Sequence, residues 1–152
     1  MIIVFFSNSK SEAAERLLGD IQRKFYGHRI EIAPTVKALR EWFHHPMTER
    51  IIHILVPENR QQLEELGYMG DLMNDNPIIL ILPDREPHTV STGHKLYPRF
   101  VSYLDSDFSY VTAVLSRMVE NVEDEKKAWK NKAPRGSGRE EIGRIRKGFP
   151  TG

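Results

Sequence analysis

Hydrophobic residues in this chain fall into short solid runs and spaced stripes that alternate along it. The run Ile51-Ile52-His53-Ile54-Leu55-Val56, stopped by Pro57, Glu58 and Asn59, is too short for a helix and apolar on alternate and intervening positions alike. It reads as a strand buried on both faces, as in the middle of a parallel sheet. Met1 to Phe6 and Pro77 to Leu82 are runs of the same kind. Arg29 to Ala33 alternates, with Ile30 and Ile32 on one face, and suits an edge, while Phe100 to Leu104 reads as a fifth strand. Between them lie stripes at helical spacing. Ser11 to Phe25 carries Ala14, Leu17, Leu18, Ile21 and Phe25, with Ser11 as its cap and Glu12 and Glu15 at the positive end of the helix dipole. Helices are also predicted over Val36 to His44, over Arg60 to Met73 (weakened by Gly67 and Gly70) and over Tyr110 to Val122. Arg85 to Arg99 contains Pro87, Gly93 and Pro98, so a helix there is short, irregular or missing.

Strands alternating with helical segments imply βαβ units joined by right-handed crossovers, hence a parallel sheet with helices on both faces. In such a sheet ligands and catalytic carboxylates collect beyond the carboxyl ends of the strands. After the central strand those residues are Val56, Pro57, Glu58 and Asn59.

The chain has 152 residues and no cysteine. Disulfides, thiolate catalysis and sulfur-based zinc sites are excluded, and a cytoplasmic location is expected. Met1 to Phe6 lacks the basic flank of a signal peptide, and no run approaches a membrane span. The net charge of +1 conceals a split. Residues 126 to 152 hold nine basic side chains against Glu140 and Glu141, which leaves 13 of the 22 basic and 19 of the 21 acidic residues before Lys126. The body is therefore about −6 and the tail about +7. Residues 1–125 read as one domain and 126–152 as a basic extension, flexible unless bound.

The element order, the early first strand, Pro77-Ile78-Ile79 opening the fourth strand and the closing Phe100-Val101-Ser102-Tyr103-Leu104 with Phe108 resemble a response-regulator receiver domain over about Met1 to Val122. The resemblance implies a flavodoxin-like (CheY-like) three-layer α/β sandwich with a five-stranded parallel sheet in order 2-1-3-4-5. It also implies an acidic pair after the first strand that holds Mg²⁺, a phosphoacceptor Asp ending the third, a hydroxyl ending the fourth and a Lys after the fifth. That chemistry needs a carboxylate nucleophile beside a divalent cation and a Lys on the product. Those positions fall here on Ser7 and Asn8, on Val56 or Pro57, on Leu82 or Pro83, and on Ser106. The departures imply a degenerate pseudo-receiver that is no enzyme and binds no cofactor. Glu58 is a carboxylate near the lost acceptor, although a solvated helix-start role explains it. Tyr103 occupies the place of the switch aromatic that reports to partners, so Tyr103, Leu104 and Tyr110 mark an expected protein-binding face made by the fourth helical segment, the fifth strand and the last helix. A homodimer stays open.

Two further readings are carried. Ser7-Asn8-Ser9-Lys10-Ser11 resembles in outline the phosphate loop of flavodoxins, which would make this a nucleotide- or flavin-binding domain, although a helix cap accounts for the same residues. The tail places Ile142, Ile145 and Phe149 at helical intervals among Arg139, Arg144, Arg146 and Lys147, a basic amphipathic pattern open to protein, membrane or nucleic acid. Stacking residues for nucleic acid are limited to Trp129 and Phe149. Gly136, Gly138 and Gly143 follow no strand and read as linker. His44 and His45 point about 100° apart on a helix, and His53 lies inside a strand, so no metal site is expected. Asp84, Asp105 and Asp107 converge on the sheet's carboxyl edge, where turn and cap roles explain them.

Overall fold

A computed structural model describes residues 1–8, 11–43, 49–73 and 76–132. The chain divides into two compact units, Met1–Met118 and Val119–Gly152, and the sheet lies in the first. Its elements in order are β1 (Ile2–Ser7), α1 (Glu12–Lys24), β2 (Arg29–Ala33), α2 (Val36–Trp42), β3 (Ile51–Val56), α3 (Arg60–Gly67), α4 (Gly70–Met73), β4 (Ile78–Leu82), α5 (Pro87–His94), β5 (Phe100–Tyr103) and α6 (Ser109–Lys132). The five strands form one sheet in the order β2-β1-β3-β4-β5, and every pairing is parallel. This is the flavodoxin-like, CheY-like order expected from the sequence.

The solid apolar runs are strands buried on both faces, as all six residues of β3 and all five of β4 are. Period two then divides each strand between two cores. Ile2, Val4, Phe6, Ile51, Leu55, Leu80 and Leu82 pack with Leu39 of α2, Leu63 and Leu66 of α3, Met69 and Met73. The intervening Ile3, Phe5, Ile52, Ile54, Ile79 and Ile81 are equally buried. Period two puts them on the opposite face of the sheet, and Ala14, Leu17 and Ile21 of α1 and Val111 and Leu115 of α6 are buried as well. Ser11 caps α1, its Oγ accepting from the Ala14 N–H at 3.1 Å. Thr35 caps α2 in the same way through Ala38.

Two elements differ from the expectation, and a third takes one of the forms left open. The helix over Arg60 to Met73 is two, because the chain tightens at its end. Tyr68 and Met69 donate to the carbonyls of Glu65 and Leu66, three residues back, between glycines that disfavour continuation. Arg85 to Arg99 holds a short helix, one of the outcomes expected, with Pro87 at its first position where a missing N–H costs nothing. The last helix runs to Lys132 rather than Val122, since Glu, Lys and Ala sustain a helix after the apolar stripe has ended and no Gly or Pro intervenes before Pro134. No helix among the described residues is long and apolar enough to cross a membrane.

Candidate functional site

Parallel pairing brings four strand ends to one edge. Ser7 stands beside Val56 in register, and Leu82 beside Tyr103. The loops that follow these strands carry Asn8, Pro57, Glu58, Pro83 and Ser106.

Val56 is fully buried and Pro57 is buried beside it, so no carboxylate ends β3. Glu58 is exposed, and its backbone N–H donates to Gln62 Oε1 at 2.8 Å, while Asn59 Oδ1 accepts from the Gln62 N–H at 2.8 Å. The two bonds are reciprocal, a variant of the capping box that pins the start of α3. Asn8 is exposed, whereas Ser7 Oγ is sealed from solvent without a hydrogen-bond partner. Leu82 is buried in the core and Pro83 is half-buried.

At the end of β5, Ser106 Oγ donates to the Tyr103 carbonyl at 2.7 Å and lies 3.0 Å from Ser102 Oγ. Ser106 has one hydroxyl proton and spends it on Tyr103, so Ser102 donates to Ser106. The Ser106 hydroxyl is therefore consumed by the turn itself.

Tyr103 is half-buried, and Arg85 covers it, with Cζ 4.0 Å from the ring centroid. Arg85 also forks onto Asp105, Nη2 to Oδ1 at 2.8 Å and Nε to Oδ2 at 3.5 Å. One guanidinium thus spans the loops after β4 and β5 and holds the aromatic between them. Sequence reasoning places Asp105 at this edge in a turn or cap role and gives Arg85 no role. The signal available was their placement just after two neighbouring strands. Leu104 is half-buried, its N–H bonded to the Leu82 carbonyl at 3.1 Å, and Tyr110 stands 73% exposed in the first turn of α6.

The acids of this edge are structural. Asp84 Oδ1 accepts from the Glu86 N–H at 3.0 Å and turns the chain into α5. Asp107 Oδ1 accepts from the hydroxyl and the N–H of Ser109, which hold its carboxyl below the usual carboxylate range. Among the described residues no group of three or more His, Asp or Glu is placed to hold a metal ion. His53 lies within β3, wholly buried, with Phe43 at 5.3 Å between ring centroids. Ser9, Lys10, His44, His45 and the tail residues Arg139, Ile142, Arg144, Ile145, Arg146, Lys147 and Phe149 lie outside the described residues.

No protein-family model matches this chain, and no curated protein matches it. Solved structures do. A CheY-like response regulator receiver domain protein from Methanospirillum hungatei JF-1 superposes with a TM-score of 0.57 at 12% identity, over 84% of this chain and 97% of that one. A signal receiver domain of a signal transduction histidine kinase from Syntrophus aciditrophicus gives 0.56 at 17% identity, over 89% and 95%. A response regulator from Burkholderia pseudomallei, solved with a phosphorylated aspartic acid, calcium ion and citrate, gives 0.55 at 12% identity, over 88% and 75%. Strand order and superposition together show that this chain has the fold of CheY-like response-regulator receiver domains.

Proposed function

We propose that the chain is a receiver-like regulatory module that acts through protein contacts and does not accept a phosphoryl group. The observation that carries this reading is the state of the edge. Val56 and Pro57 stand where a nucleophilic carboxylate is needed, and the Ser106 hydroxyl is spent on its own turn. Phosphoryl transfer to a carboxylate requires a cation beside the nucleophile and a positive charge on the product, and neither is supplied by Ser7, Asn8, Leu82 or Pro83. The aromatic position remains, with Tyr103 clasped by Arg85 and Asp105. A partner meets Tyr103, Leu104 and Tyr110 as a standing surface rather than one made by phosphorylation. The basic segment 126–152 begins within α6, and its charge, opposite to that of the preceding residues, suits a partner of its own.

The test is a backbone amide NMR titration with Mg²⁺ and then beryllofluoride, which stands in for the phosphoryl group of an acyl phosphate. The expected result is no shift at Asn8, Glu58 or Ser106. Saturable shifts at those amides that spread to Tyr103 would overturn the proposal.

A further inference from the structure

We infer that the groove between α3 and α5 joins two copies of this chain in a symmetric dimer. The groove encloses about 300 Å³ and is lined by Glu64, Gly67 and Tyr68 from α3 and its end, and by His88, Thr92 and Lys95 from α5 and its end. Glu64 and Tyr68 are four residues apart, and His88, Thr92 and Lys95 follow at four and three. Each set therefore occupies one face of its helix. One wall carries an acid and the opposite wall a lysine. Among the described residues neither Glu64 nor Lys95 takes part in an ion pair.

That pattern is self-complementary. A two-fold axis sets the acidic wall of each copy against the basic wall of the other, so every Glu64–Lys95 contact occurs twice. A different protein would have to carry the reverse arrangement by coincidence, whereas a second copy carries it by construction. The floor is open as well. Nothing lies within 4 Å of where a Cβ on Gly67 would project, which leaves room for a side chain from the partner copy. One lip is aromatic, since Tyr68 is 89% exposed, and Tyr97, two residues along the chain from Lys95, is a second exposed ring at 85%. Tyr97 holds a left-handed φ of 52°, a conformation that bulky residues rarely adopt. Leu96 ties the two sides together, its Cδ2 lying 3.7 Å from where a Cβ on Gly70 would stand.

Exposed ion pairs contribute little, so burial of the tyrosine rings supplies most of the association and the two charge pairs set its register. The inference does not depend on whether the carboxyl edge binds a phosphoryl group.

The experiment is sedimentation velocity on the full-length protein from about 5 µM to about 500 µM, at about 50 mM salt so that screening does not mask the pairs. A monomer–dimer equilibrium is expected. Glu64→Lys and Lys95→Glu each turn two attractions into two repulsions and should weaken association about tenfold or more. The double variant E64K/K95E should return it to within about threefold. Gly67→Gln fills the groove while favouring the helix, so it should abolish the dimer with the melting temperature unchanged or raised. A protein that stays monomeric at the highest concentration overturns the inference. So does a dimer indifferent to both single reversals, or one that the double reversal fails to restore.

Discussion

His53 sits within β3 with no exposed surface and neither ring nitrogen hydrogen-bonded. Burial lowers its pKa from 6.5 to about 4, because the charged ring would lose its hydration with nothing in exchange. The sign of the effect on stability follows. Above the unfolded pKa both states are neutral at this site and pH has no effect through it. Between pH 6.5 and about 4 the unfolded chain takes up the proton and the folded chain does not, so stability falls as pH falls, by about 1.4 kcal/mol per pH unit and about 3 kcal/mol in all. Urea unfolding at pH 7 and pH 5 should show the native protein losing about 2 kcal/mol more than His53→Leu across that interval. Equal losses in the two proteins would mean that His53 has a polar partner or access to water. The strand pattern places His53 in the sheet. That it stands beside Phe43 instead of a carboxylate is a fact of packing.

At the scale of elements, α5 is short, as the proline and glycine of Arg85 to Arg99 predict, yet both residues suit their positions. Pro87 takes the first helical residue, and Gly93 lies where the helix presses on β4, a Cβ there meeting the Cδ2 atoms of Leu80 and Leu82 at 3.0 Å. Glycine in this place permits close packing and is not a breaker. Gly93→Val should therefore destabilise the protein by about 2 kcal/mol, as over-packing generally does, and lower its midpoint in chemical denaturation. A variant as stable as the native protein would show that α5 can move off the sheet. The division of α3 from α4 is the opposite case, in which two glycines do mark an interruption, through bonds to carbonyls three residues back that only the folded backbone reveals.

For the whole molecule, the crossover order makes β1 a central strand, flanked by β2 on one side and β3 on the other. The first residues of the chain are thus among the last that the fold can lose. Phe5 is 1% exposed, whereas Ile32 on the edge strand β2 is 47% exposed. Phe5→Ala should cost about 3–5 kcal/mol and Ile32→Ala less than about 1 kcal/mol. Thermal or urea unfolding of the two variants decides the matter, and similar losses would contradict the burial assigned to these strands. The carboxyl edge is likewise a product of the whole topology, since Ser7, Val56, Leu82 and Ser106 are distant in the chain and stand at one edge only because all five strands run parallel.

What the sequence by itself determined is the set of strands and most helices, since buried strands and amphipathic helices need apolar residues at periods that few other segments can imitate. It also determined which side chains stand at the carboxyl edge, because a parallel sheet sends every strand's successor there. Tertiary structure alone decided how those side chains are used. Arg85 over Tyr103, the pairing of Ser102 with Ser106, the Glu58–Gln62 bond and the groove between α3 and α5 depend on distances between loops and helices. Such contacts leave no periodic trace in the chain, since they are set by where separate elements pack and not by the residues next to them.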